Sequence, residues 1–448
     1  MSIIEKLNNI LKFAKQNGAE GADAFAVKSR SLSTSVRLGK IENLEEASSF
    51  GLGLRVQIGQ RQATISTSDI DNKEELEQLT HRALTMARHL PDDPHLVPYA
   101  KQTASSALAV RDLELYDPNQ PSAQWLYEKA IEMEEIGLNV PGISNSSGAD
   151  ASHSHNEIYL CTSHGFIGSY QSSATSLSIS LVARNASDAM ERDYDSSVAR
   201  FVCDLRTPSD IAKQAASKTL KRLDSIRLPT GEATIIFDPR VSRSLLGIFL
   251  NAINGAAIAR KTSFLQSALH QPVFAPSITI LDDPFRLRGL ASRPFDAEGH
   301  EGSALTLVKE GIIQDWLLDS RTANQLKCSN NFRAQRGFSS PPSPTSTNAY
   351  IAPSLLSPTE LLSQVHNGFY VTELFGMGVN MITGDYSQGA AGFRIENGTL
   401  TQAVSEVTIA GQLQDMFKRM IAANDLTFRY STNSPTLAIE GMMVAGKD

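Results

Sequence analysis

The sequence predicts an α+β protein: an N-terminal helix-and-sheet region followed by a β-rich, barrel-like C-terminal domain. Three observations predict it. Capped amphipathic helices alternate with period-two runs in the first half, and the second half carries mostly short apolar runs and glycine turns. Between them Leu228-Pro229-Thr230-Gly231 breaks both patterns. At 448 residues the chain is too long for one simple core. The expected division is 1–229, itself divisible into about 1–100 and 115–229, and 230–448.

The first helix opens at the capping box Ser2-x-x-Glu5, and charges at Glu5, Lys6, Lys12 and Lys15 interrupt its apolar positions, so it is no signal peptide. Residues 23–67 read as strands, with Gly51, Gly53 and Gly59 marking tight backbone approaches. A helix follows from Asn72 to Leu90, its stripe read as Leu76, Leu79, Ala83, Met86 and Leu90. Ser122–Leu138 forms another helix, Gly142–Arg184 returns to strands, and Thr207-Pro208-Ser209-Asp210 opens a helix running to about Leu223.

In the second half, ITIL at 278–281 is a buried strand, and ALTLVKEGIIQDWLL turns as a hairpin at Glu310-Gly311. SSPPSPTST is an extended loop unable to enter a sheet interior. A helix is expected near Gln412–Ala423, before the terminal strand TLAIEGMMVAG. The central element is FDPRVSRSLLGIFLNAINGAAIARKTSFL. Asp238 is a good N-cap, Pro239 suits the first helical position, and Val241, Leu245, Phe249, Ala252 and Ala256 make one apolar stripe.

Composition narrows the function. With 41% hydrophobic and 20% charged residues the chain is an ordinary soluble protein, and a net charge of −7 argues against a nucleic-acid surface. Three scattered cysteines without Cys-x-x-Cys spacing fit reduced thiols in the cytoplasm. No run of about 18 apolar residues predicts a membrane span. There is no Gly-x-Ser-x-Gly elbow, and Cys161 beside Thr162-Ser163-His164 reads as a half-buried thiol.

Leu245-Leu246 … Arg260-Lys261-Thr262-Ser263, with GLGLRV, STSD, ERDYDSS, FDAEG, SPPSPTSTN and NMITGDYSQGAAG in order, resembles the TldD/PmbA family of peptide-maturing metalloproteases, also called modulators of DNA gyrase. In its active branch the two leucines precede His-Glu-x-x-x-His, which supplies two zinc ligands and a base. Here those positions read Gly247, Ile248 and Ala252, none of which can ligate zinc or take a proton, and no Cys follows Cys328 to match the family's late cysteine ligand. The resemblance therefore implies the PmbA/TldE branch: a chain with no catalytic residues and no cofactor of its own, inactive alone. It would pair with a zinc-bearing TldD-like subunit on unfolded peptides such as peptide-antibiotic precursors and antitoxins, and be free to form a homodimer in isolation. Two rivals stay open, an autonomous metallopeptidase with ligands elsewhere and a purely regulatory binding protein of a toxin–antitoxin or gyrase-related system.

Zinc needs about three or four converging donors. His153, His155 and Glu157 share strand parity, and His300 lies between Glu298 and Glu301 in a glycine-bounded turn, but surface strand and solvated turn are the plainer readings. Gly247, costly in a helix interior, is read first as permitting close packing and second as a relic of a helix distortion. Arg260, Lys261 and Thr262 are the expected peptide-binding residues, the plainer alternative being cations placed at a helix C-terminus.

Overall fold

The computed structural model describes residues 1–98, 111–376 and 378–447, so the expected division near residue 100 lies outside the described residues. The N-terminal half is one six-stranded antiparallel sheet in the order β3-β2-β1-β4-β5-β6. Its strands are β1 (Gly21–Arg37), β2 (Lys40–Ile58), β3 (Arg61–Thr67), β4 (Ile143–Thr162), β5 (Ile167–Arg184) and β6 (Met190–Ala199). β1 and β4 pair from Asp23↔Thr162 to Val36↔Ala149, joining the two parts of this half in one sheet.

Period-two alternation sorts the sheet's faces. Ala22, Ala24 and Ala26 of β1 pack with Leu52, Leu54 and Val56 under α1 (Ile3–Gln16) and α2 (Lys73–His89). Farther along the same face, Val36, Ala149, Ala151, Leu177 and Ile179 pack under α3 (Ala123–Leu138) and α4 (Pro208–Lys221). The expected stripe of α2 needs correction: Met86 and Leu90 are exposed, and Thr80, Leu84 and Ala87 complete the buried face. The face turns because α2 packs on both α1 and the sheet, which widens the stripe beyond a single row.

The opposite face meets the C-terminal half. Phe25 stacks on Phe338 at 5.9 Å, and Asp23 is shared by Arg55 and Arg336. A Cβ on Gly51 would overlap the Phe338 ring and one on Gly53 its carbonyl, so the two glycines of GLGLRV are what lets this segment lie on the sheet.

The C-terminal half begins with β7 (Gly231–Phe237), α5 (Pro239–Ala252) and α6 (Gly255–Ala259). A small sheet holds β8 (Ile280–Asp283), β9 (Leu305–Lys309) and β10 (Ile312–Ile313); α7 (Ser320–Leu326) follows, then the pair β11 (Ala334–Gln335) and β12 (Ser343–Pro344). β13 (Asn348–Ile351) joins the small sheet and precedes α8 (Pro358–Ser363). The barrel strands are β14 (Asn367–Phe375), β15 (Asp385–Glu396) and β16 (Thr399–Gln412); α9 (Leu413–Lys418), β17 (Met420–Ala422), β18 (Thr432–Asn433) and β19 (Leu437–Ala445) complete the chain. The sheet order is β16-β15-β14-β7-β19-β17, and an added β16–β19 pairing closes five of these strands into a β-barrel.

Three expectations are revised here. ITIL is a strand only from Ile280. The helix expected at Gln412–Ala423 stops at Lys418, because Met420–Ala422 pair with Leu437–Ile439 on the barrel. The helix begun at Pro239 breaks at Ile253–Asn254: Asn254 caps α6 through Ala256 N at 3.0 Å and donates to the Pro344 carbonyl at 2.7 Å, so Ala256 belongs to a second helix.

Candidate functional site

The site is built on α5, which leaves the barrel directly after β7. Asp238 caps it, accepting from Arg240 N and from the Tyr370 hydroxyl, both at 2.9 Å. Leu245, Phe249 and Ala252 are fully buried in the C-terminal core, where Phe249 meets the rings of Phe274 and Phe417 edge-on. The other face of the helix, Arg243, Ser244, Gly247 and Asn251, is left to a cleft.

The three positions that the resemblance equates with ligands and base are thus dispersed. Gly247 opens on the cleft, Ile248 is half-buried against the core, and Ala252 is inside it. None carries a donor atom, and among the described residues no three His, Cys, Asp or Glu side chains are grouped to hold a metal. The residues do not fit zinc here. Gly247 also departs from the close packing expected of it: a Cβ built there meets no atom within 4 Å.

The cleft has two ends. One is an open groove of about 960 Å³ between the end of α5 and residues 378–384, which lead into β15, lined by Asn251, Thr262, Val379, Asn380 and Ile382. That segment is anchored by Phe264 N donating to the Met381 carbonyl at 2.8 Å. Thr262 therefore reaches the groove. Arg260, the C-cap of α6, and Lys261, at φ 59°, are exposed and do not line it. The fourth residue of the cluster, Ser263, closes α5 by donating to the Ala252 carbonyl at 2.6 Å.

The other end lies at the start of α5 and is formed with β6. ERDYDSS alternates there as a strand does. Asp193 binds Arg240 at 2.5 Å and Arg222 at 3.4 Å, Asp195 binds Arg206 and Lys218, and Tyr194 extends into the cleft. Burial alone would raise the Asp193 carboxyl, but the Arg240 hydrogen bond and the Arg240 and Arg222 charges hold its pKa below the ordinary range. These residues went unpredicted as a site. The alternation in ERDYDSS was the available signal, but its partners lie on α5, on α4 and at the residues flanking α4.

Neither histidine locus builds a metal site. His153 is buried on the helix-bearing face with Nδ1 at 2.9 Å from Thr175 Oγ1, and Glu157 is taken by Lys28 and Tyr159. Burial, then the charge of His155, lowers the pKa of His153, favouring the neutral ring. The His300 ring lies 4.7 Å from that of Phe332, and Glu298 accepts from Ser320.

The fold and site define an α+β protein, a helix-backed sheet laid against a β-barrel with a cleft along the barrel's first helix, and comparison with known proteins identifies its family. Profiles of the PmbA/TldA metallopeptidase match domain 1 over residues 22–87, the central domain over 116–223 and the C-terminal domain over 230–446. The chain belongs to the PmbA/TldD metallopeptidase family. It is 34% identical to Metalloprotease PmbA of Escherichia coli O157:H7 over 96% of this chain and 93% of that one. Identity to the PmbA homolog of Haemophilus influenzae is 35%, over 97% of this chain and 94% of the relative. Among solved structures, a candidate modulator of DNA gyrase from Bacteroides thetaiotaomicron matches with TM-score 0.89 at 26% identity, covering 99% of this chain and 98% of that one. TldE of Thermococcus kodakarensis shares the fold, with TM-score 0.87 at 19% identity over 98% and 100% of the two chains. No helix among the described residues is long and apolar enough to cross a membrane.

Proposed function

We propose that this chain is the non-metal-binding, TldE/PmbA-like subunit of a heteromeric cytoplasmic metallopeptidase that processes unfolded peptides, peptide-antibiotic precursors and antitoxins among them. One observation carries the reading: the cleft along α5 is open at Gly247 yet has no ligand or base at Gly247, Ile248 or Ala252. Metal-dependent hydrolysis needs both an activated water and a group to manage its proton. A TldD-like partner that keeps His-Glu-x-x-x-His would supply both, together with the zinc. This chain would contribute chamber wall and peptide contacts, and in isolation would be free to pair with itself.

Elemental analysis tests the division of labour. The purified chain should hold far less than one zinc per molecule, and its complex with a TldD-like chain about one, all of it lost with the partner. About one tightly bound zinc on the isolated chain would contradict the reading.

A further inference from the structure

We infer that the pocket at the start of α5 binds a carboxylate of an extended peptide through Arg243 and Arg429. The inference rests on the peptide-holding role proposed above and adds where the peptide is anchored and by which group. The pocket, of about 520 Å³, lies between β6, the N-terminal turns of α5 and the 425–436 segment.

Five cationic side chains line it against three acidic ones, and most are already satisfied within the fold. Arg206 and Lys218 share Asp195, and Arg240 is held by Asp193. Asp238 accepts from Arg240 N and the Tyr370 hydroxyl, and Asp425 accepts from Thr436 N and Oγ1. That leaves Arg243 and Arg429, neither of which has a carboxylate within ion-pair distance among the described residues. The Arg243 guanidinium lies 4.2 Å from the centre of the Tyr430 ring, and its Nε donates to the Arg240 carbonyl at 3.2 Å. Its side chain is thereby oriented before any ligand arrives, and a planar donor fork held in place suits a carboxylate. The three acids on the wall disfavour a polyanion such as nucleic acid.

Position connects this pocket to the cleft. Arg243, Gly247 and Asn251 follow one another at four-residue steps along the exposed face of α5, each step about 6 Å. That is close to two residues of extended chain at about 3.3 Å each. A peptide with its carboxylate at Arg243 and Arg429 would carry its backbone over Gly247, where no side chain obstructs it, toward the groove at Asn251 and Thr262.

The test uses the full chain and fluorescein-labelled unfolded decapeptides in three forms: free C-terminal carboxylate with one internal Glu, C-terminal amide with the same Glu, and free carboxylate with Gln in its place. Fluorescence anisotropy should show about tenfold weaker binding when the relevant carboxylate is removed. Loss on amidation identifies the terminal group, and loss on the Gln change identifies the side chain. Arg243→Gln and Arg429→Gln should each reduce that discrimination while leaving the weaker peptide's affinity unchanged, with circular dichroism confirming the fold. Arg243→Lys should restore it only in part. Equal binding of the three peptides, or discrimination intact in Arg243→Gln, would overturn the subsite alone. Absence of binding by every peptide would overturn the peptide-holding role with it.

Discussion

Gly247 shows how one residue can be misread from sequence and corrected by its surroundings. A glycine inside an apolar helix suggests close packing, yet this one faces open cleft. Gly247→Ala should therefore remove a helix-interior penalty without a clash and stabilise the protein by about 1 kcal/mol in denaturant unfolding; destabilisation would mean that the position is crowded. Asp193 makes the opposite case. Its side chain is 4% exposed between Arg240 and Arg222, so Asp193→Asn should cost a few kcal/mol at neutral pH by leaving buried guanidinium groups underpaired, on the order of 3 kcal/mol. Because its folded pKa is depressed, the wild-type advantage is present above the unfolded pKa and lost as pH falls through the folded one. Unfolding free energies of the two proteins should accordingly converge in acid, and a gap that stays constant with pH would contradict the pairing.

At the scale of elements, local chemistry was legible and tertiary chemistry was not. The caps at Ser2, Asn72, Ser122, Thr207 and Asp238 all work as their residue types imply, since a cap is settled within four residues. The break after Ala252 was not legible, because apolar spacing runs on through Ala256 while the Asn254 bond to Pro344 spans ninety residues of chain. The strand at Met420–Ala422 likewise depends on β19. The cleft was half legible: α5 and Thr262 could be read from the sequence, but Tyr194, Arg243, Arg429 and Tyr430 come together only through folding.

The cap of α7 adds a test. Asp319 is 1% exposed and accepts from Thr322 N at 2.8 Å. Burial, reinforced by the Glu298 charge, raises its pKa to about 6. An acid with a raised folded pKa contributes stability below its unfolded pKa and loses it as pH rises through the folded value. Asp319→Asn, which keeps a capping oxygen without the charge, should stabilise at pH 7.5 by on the order of 1–3 kcal/mol and by much less at pH 4. Equal effects at both pH values would exclude a charged buried cap.

Across the whole molecule, a sheet with one face under four helices and the other against a barrel borders a cleft along α5 in which Gly247, Ile248 and Ala252 carry no metal ligand or base. The glycines that admit Phe338 and the Asp193 cluster that meets α5 tie the halves on either side of the cleft. The most direct test is a chelator-controlled cleavage assay on an unfolded peptide, with this chain alone, a TldD-like chain alone, and both together. This chain alone should leave the peptide intact, and the mixture should form a stable complex that cleaves it in a chelator-sensitive way. Robust metal-dependent cleavage by this chain alone would contradict the account, and failure either to bind the partner or to change its activity would favour a regulatory role.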